Sequence, residues 1–245
     1  MAPAIPAFPA QRYAALYNIL GPQAVLTKEI PLGEGLTVQL VEQRRDAQKL
    51  SPIRCLLVKS DLTIWGESSV FVAQGSLELN PKAILFMGSA GGLSPKVNLY
   101  GVSVPSQFIL AGNKTVAIPN FIFESLQAMN YQTDRVSLGT HHGNTNSPIE
   151  ETIADVTAKV DAGLDAIDVE TDLVAQMLAQ YNLKVKQPVL FGALNLITDK
   201  PNSDKYNWSH EYSLTKMSPA LKDEARRRVV LSAVGGVSHA KELNP

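Results

Sequence analysis

Three stretches of this chain hold the residues that could do chemistry, and each directly follows an apolar run. Pro81-Lys82-Ala83-Ile84-Leu85-Phe86-Met87 runs into Gly88-Ser89-Ala90-Gly91-Gly92, five residues with three glycines and no bulky side chain. Ala166-Ile167-Asp168-Val169 runs into Glu170-Thr171, and Val189 to Thr198 runs into Asp199-Lys200-Pro201. The first stretch reads as a buried strand delivering a loop. Its glycines would let the backbone turn with positive φ and come close to a bound group, with amide N–H donors facing it. The competing reading is packing, since small residues also let a helix close on a strand. If the three strands lie parallel in one sheet, the glycine loop, Glu170 and Asp199 converge at its carboxyl edge, where open α/β sheets hold ligands. Acidic residues at strand ends also cap the helix that follows, so each carboxylate has a structural alternative.

Other reactive side chains carry less. His141-His142, in the polar run Thr140 to Asn146, invites a metal, yet no Asp, Glu, Cys or further His stands at ligand spacing. A solvated or core-capping pair is the reading adopted, and no metal site is assigned. The single cysteine, Cys55, lies in an apolar strand-like run; this excludes an internal disulfide, fits a reducing compartment and reads as core. Arg226 to Arg228 reads as a solvated helix face. A formal charge of −1, from 22 basic and 23 acidic residues, sets up no global field for nucleic acid or an anionic membrane. There is no apolar run of membrane-spanning length. Met1 to Pro9 lacks the basic and long apolar regions of a secretory signal, so a cytoplasmic location is the expectation.

The elements that must position these residues suit an α/β fold. A mobile tail is expected over residues 1–9 and a single domain over 10–245, a length that supports one sizeable core. Tyr13, Leu16, Tyr17 and Leu20 share a helical face ended by Gly21-Pro22. Leu36 to Leu40, Arg54 to Val58 and Val70 to Ala73 read as strands. Val102 to Pro105 and Phe108 to Leu110 read as a strand followed by an edge or turn, because Pro105 cannot donate to a central ladder. Phe121 to Met129 reads as a helix, Val136 to Gly139 as a strand, and the histidine stretch as a loop. Ser147-Pro148-Ile149-Glu150 has the form of a helix start with a capping box, after which Ile153, Val156, Val160 and Leu164 mark one buried face. Leu173, Val174, Met177, Leu178 and Tyr181 mark the next helix, and Ser218-Pro219 opens a last one, stopped by Gly235-Gly236.

Pro81 to Leu93 with Val102-Ser-Val-Pro105, then Ile167-Asp-Val-Glu-Thr171, then Leu196-Ile-Thr-Asp-Lys-Pro201 together resemble the nucleoside phosphorylase and nucleosidase superfamily. Order and spacing agree over roughly residues 80 to 235, in the style of AMP nucleosidase. The resemblance implies a mixed, twisted central sheet flanked by helices and assembly as a homo-oligomer. It implies cleavage of the ribosyl N-glycosidic bond of a purine nucleoside or nucleotide, with no metal or organic cofactor and with phosphate left open as a co-substrate. Glu170 would accept hydrogen bonds from the ribose hydroxyls as the sugar becomes oxocarbenium-like. Asp199 would be the general acid that protonates purine N7, its proton retained near neutral pH by burial. Gly88, Ser89, Ala90, Gly91 and Gly92 would cradle phosphate or position the attacking water through backbone donors, with Val169 and Thr198 completing the binding residues. Tyr206 or Trp208 would cover the base or pack on a neighbouring subunit.

The sequence also departs from that pattern. Met87 stands where phosphorolytic branches commonly carry an anion-gripping arginine, and residues 1–50 offer no match to their early phosphate loop. None of Glu29, Glu34 and Glu42 is assigned as a water-activating glutamate, and the Ser-Gly-x-Gly turn is absent, Gly66-Glu67-Ser68-Ser69 being a poor substitute. Hydrolysis is therefore expected over phosphorolysis. Two alternatives stay open: a member without catalysis that binds or stores a nucleoside, and recruitment to other biosynthetic chemistry.

Overall fold

A three-stranded antiparallel meander of β1 (Ala24–Gly33), β2 (Leu36–Gln43) and β3 (Ile53–Ser60) makes up the first sheet. The strands expected at Leu36 to Leu40 and Arg54 to Val58 are β2 and β3, with Cys55 paired opposite Val41. The computed structural model describes residues 24–33, 36–43, 53–60, 66–145, 152–207 and 218–239. The expected tail at 1–9, the helix at Tyr13 to Leu20 and the helix start at Ser147 to Glu150 lie outside them. The chain divides into two units, Met1–Ile64, to which this sheet belongs, and Trp65–Pro245.

The second unit runs α1 (Glu67–Ser76), β4 (Ala83–Gly92), β5 (Val102–Leu110), β6 (Lys114–Thr115), α2 (Phe121–Ala128), β7 (Val136–Asn144), α3 (Ile153–Asp161), β8 (Ala166–Asp168), α4 (Thr171–Asn182), β9 (Leu190–Asp199) and α5 (Pro219–His239). Its strands follow the order β6-β5-β7-β8-β4-β9, and β5 pairs again with β9, so the sheet closes on itself. β5, β7 and β8 run parallel, β4 and β9 run parallel, and the two groups meet antiparallel at β8–β4 and β9–β5. This is the mixed sheet expected, but not the all-parallel edge on which three converging loops would rest. Convergence has another cause. β8 is only three residues long and pairs Ala166 and Ile167 with the last two residues of β4, Gly92 and Gly91.

Helices cover both faces of the sheet. Along β9, Leu194 and Leu196 pack with Val102, Phe121, Ile122, Leu126, Val229 and Ala233. The alternate residues Phe191 and Ala193 pack with Phe108, Val174, Ala175 and Leu178. A strand buried on both faces reads as one apolar run because each face of its two-residue repeat needs a core. Phe108 and Phe191 meet with ring centroids 5.3 Å apart. Glycine sets how closely α2 approaches its neighbours: a Cβ on Gly192 would stand 2.6 Å from Phe121 Cε1, and one on Gly236 2.7 Å from Ile122 Cδ1. Gly235-Gly236 is thus a crossing point inside α5 and not the stop expected there.

Further differences have physical causes. Val70 to Ala73 belongs to α1, where Ser69, Ala73 and Leu77 are buried at four-residue intervals while Phe71 is 69% exposed. A four-residue apolar run cannot reveal that period. Pro105 lies within a single strand β5 at a register shift, so the ladder bends around its missing donor instead of ending. The histidine stretch is strand and not loop, since β7 continues to Asn144. α3 begins at Ile153 behind an N-cap, Thr152, whose hydroxyl accepts from the Asp155 N–H, and Ile153 itself is exposed. Arg226 and Arg228 are largely buried: Arg228 donates to the Tyr100 carbonyl at 2.8 Å and to Glu224, and Arg226 pairs with Asp223.

One side chain ties these layers together. Asn120, buried at the N-cap of α2, accepts from the N–H groups of Ile122 and Ala193 and donates to the carbonyls of Pro105 and Ala193. It joins α2, β5 and β9 at once. Asn120→Ala leaves those buried groups unpaired and is expected to destabilise the fold by roughly 3 kcal/mol, read as a lower midpoint in urea unfolding with the slope unchanged.

Candidate active site

Gly88 to Gly92 form the last five residues of β4 itself, laddered to β9 as far as Gly91, and none of the three glycines has positive φ. They serve close approach rather than a turn. A Cβ on Gly88 would lie 2.7 Å from Asn195 Oδ1, one on Gly91 3.1 Å from Pro201 Cγ and 3.5 Å from Asp199 Oδ2, and one on Gly92 2.9 Å from Ile197 Cγ2. β8 pairs only with Gly91 and Gly92, so its ladder does not continue along Gly88 to Ala90. Ser89 is exposed there and Ala90 is buried.

Asp199 closes β9. The register jumps there: Ala90 pairs with Ile197 and Gly91 with Asp199, so Thr198 is an extra residue that bends the strand end. The Thr198 hydroxyl donates to Asp199 Oδ1 at 2.9 Å. Burial pushes the Asp199 carboxyl above the usual carboxylate range, against the opposing effect of that hydrogen bond. Lys200 turns away to donate to the Ser94 carbonyl at 3.1 Å, and burial lowers its pKa.

Glu170 stands at the head of α4, in the N-cap position, but its side chain makes no capping bond. Asp168 does that work: its Oδ1 accepts from the N–H groups of Glu170 and Thr171 at 3.0 and 2.9 Å, and its Oδ2 accepts from the Thr171 hydroxyl. The Glu170 carboxyl is half-buried and pushed up to about 7, by burial first and by neighbouring Asp168 second. Backbone N–H groups of Gly66 and Val169 and the His142 ring work in the other direction. Val169 is buried beside it.

Beneath lies a polar cluster that sequence reading missed. His142 is fully buried, its Nδ1 3.0 Å from Asp172 Oδ1 and its Nε2 3.1 Å from Asn195 Nδ2 and 3.7 Å from Asp168 Oδ2. Asn195 Nδ2 also reaches Thr171 Oγ1 at 3.2 Å. Of the two readings of the histidine pair, core rather than solvent holds for His142. The sequence did carry a signal: Asp168-Val-Glu-Thr-Asp172 puts three carboxylates into five residues behind a buried strand, and such a group calls for a donor from elsewhere. Among the described residues no group of three or more His, Cys, Asp or Glu side chains is suited to a metal ion. No described helix is long and apolar enough to cross a membrane.

The structure thus brings Ala90, Gly91, Thr198 and Asp199 together at one strand end, and Glu170 together with Asp168, His142 and Asp172 at another. Gly88, pressed against Asn195, joins the two. Tyr206 packs against the cluster of Leu93, Val156, Val160, Leu164 and Ile167 and is half-buried there. Trp208 lies outside the described residues.

A closed mixed sheet of this order, with helices on both faces, is a fold that this chain shares with solved nucleosidases and futalosine hydrolase. Among solved structures, futalosine hydrolase from Helicobacter pylori matches with a TM-score of 0.62 at 13% identity, covering 93% of each chain. The 5'-methylthioadenosine/S-adenosylhomocysteine nucleosidase of Campylobacter jejuni matches with a TM-score of 0.61 at 12% identity, covering 93% of this chain and 94% of that one. The corresponding nucleosidase of Colwellia psychrerythraea, solved in complex with adenine, has a TM-score of 0.59 at 13% identity, covering 92% and 91%. No family model matches the sequence, and no curated protein does.

The raised Glu170 carboxyl fixes a direction for stability against pH. The folded protein keeps a proton that the unfolded chain releases, so the site increasingly opposes folding as pH rises from about 4.5 to about 7. Glu170→Gln removes the charge. After allowance for solvent at a half-buried site, it should raise stability above about pH 8 by on the order of 1 kcal/mol, a few degrees in Tm, with no gain below about pH 4. Thermal midpoints across that range measure it.

Proposed function

We propose that the protein cleaves the N-glycosidic bond of a purine nucleoside or nucleotide by hydrolysis. The observation that carries this reading is Asp199: a half-buried carboxyl, raised by desolvation, held at a bulged strand end against Gly91. A carboxylic acid kept neutral can give its proton to purine N7, and a neutralised base leaves far more readily than an anion. Glu170, left out of helix capping, is available to accept hydrogen bonds from the ribose hydroxyls, which strengthen as positive charge develops on the sugar. Ser89 and the glycines at the end of β4 would hold the attacking water, and Met87 offers no charge for phosphate. The likeness to purine-related hydrolases in fold supports the bond type, and this chain's own two carboxylates support the roles.

Chromatography for free base, over a panel of purine nucleosides and AMP with and without phosphate, tests the reading. Release without phosphate is expected. Asp199→Asn should lower kcat/KM by about 10²- to 10⁴-fold, the usual worth of a general acid. Undiminished release by that variant overturns the assignment, strict phosphate dependence overturns hydrolysis, and silence across the panel favours a nucleoside-binding role. Activity of the wild-type protein should also decline on the acid side near pH 7, where Glu170 takes up its proton.

A further inference from the structure

His142 is not used by the reading above, although it sits beneath Glu170 with both ring nitrogens engaged. Nδ1 faces Asp172 of α4 at 3.0 Å, and Nε2 faces Asn195 of β9 at 3.1 Å and Asp168 of β8 at 3.7 Å. The titratable groups that face the ring are therefore Asp172 from α4, Asp168 from the end of β8 and Glu170 from the turn between them; β9 contributes the neutral Asn195. Burial by itself would strip the ring of its second proton. The three carboxylates outweigh it, and the imidazole is held above the ordinary histidine range.

The hydrogen bonding accommodates that charge. In the arrangement observed, Asn195 Nδ2 donates to both Nε2 and Thr171 Oγ1, while its Oδ1, fully buried, has no partner. Turning the amide by half a rotation aims Oδ1 at Nε2, which can then carry a proton. The turn gives the orphaned oxygen a donor, while it takes Nδ2 off Thr171 Oγ1 and puts it where Oδ1 stood without a partner. Nδ1–H remains on Asp172 in either arrangement, so that residue fixes the ring's orientation.

We propose that His142 is a positioning residue of this site: gripped by Asp172, its ring faces the Asp168 carboxylate that caps α4 and places Glu170, and a proton on the ring favours the ionised form of the Glu170 carboxyl. In naming ribose as what that carboxylate receives, the proposal rests on the nucleosidase reading; the coupling between His142 and Glu170 does not. Asp168 is the mechanical link, since the oxygen that faces the ring belongs to the carboxylate that accepts the Glu170 and Thr171 N–H groups.

Two titrations of the full chain test it, each followed by NMR of ¹³C-labelled histidine rings and glutamate carboxyls. In Glu170→Gln, the His142 ring should titrate lower than in the wild type. In His142→Gln, Glu170 should titrate higher by the same amount, because coupling between two sites is reciprocal. With an active enzyme, the acid limb of kcat/KM in H142Q should move to higher pH by that shift, whereas a purely structural role would lower activity without moving the limb. If H142Q fails to fold, the E170Q titration decides alone. A His142 ring that titrates identically with and without Glu170 overturns the proposal. Coupled titrations in a protein that releases no base uphold it while removing the nucleosidase reading, and base release with unmoved titrations does the reverse.

Discussion

The hydrogen bonds accepted by Asp168 hold the turn between β8 and α4, and the arrangement around Glu170 follows from them. A carboxylate taken out of water must be given donors, and Asp168 receives two backbone N–H groups and the Thr171 hydroxyl. Because Asp168 caps the helix, Glu170 does not have to, and its carboxyl accepts instead from the backbone of Gly66 and Val169. Asp168, Glu170 and Asp172 are crowded into one turn, and the buried His142 ring lies beneath them, its pKa lowered by burial but raised on balance by these acids. These buried polar groups pair mostly with one another, and Asp172 Oδ2 and Asn195 Oδ1 are left without a partner.

The closed sheet is what makes this crowding tolerable. β8 is reduced to three residues between β7 and β4, so the chain leaves the sheet just after Ile167 pairs with Gly91. Small residues carry the contacts on the other side: Gly88 against Asn195, Gly91 against Pro201 and Asp199, Gly92 against Ile197. A side chain at any of them would push on a carboxylate, on an amide of the network or on the core. The same fold recurs in hydrolases that share only 12–13% of their residues with this chain. Such constancy asks for two-faced burial and a few close backbone approaches, conditions that many sequences satisfy.

Much of the fold was legible wherever an element was long and its period clear. β9 reads as a continuous apolar run because it is buried on both faces, and α2 and α4 show helical spacing. Shorter signals misled. Val70 to Ala73 looks like a strand because its β-branched and aromatic residues are a weak local preference, which the packing of Ser69, Ala73 and Leu77 overrides. The polar Thr140 to Asn144 looks like a loop because sequence does not reveal that Thr140 meets Ser103 and His142 meets Asp172. Of the site, Asp199 and Glu170 were visible as acids ending apolar runs, and the small residues of β4 as a cluster. Asp168 and Asp172 showed only as a crowding of carboxylates, and His142 and Asn195 not at all, since a side chain announces its type and not its partners.

The sequence by itself determined where the apolar runs lie, which of them end in carboxylates, and which ends in a stretch without bulky side chains. These are properties of residue order and of local period. The tertiary structure decided strand direction, the closing of β5 onto β9, the bulge that sets Asp199, and the charge balance around Glu170. The last depends on a histidine 30 residues from Asp172 and 53 from Asn195 in the chain. Desolvation and the distance between charges set that balance, and both exist only once the chain has folded.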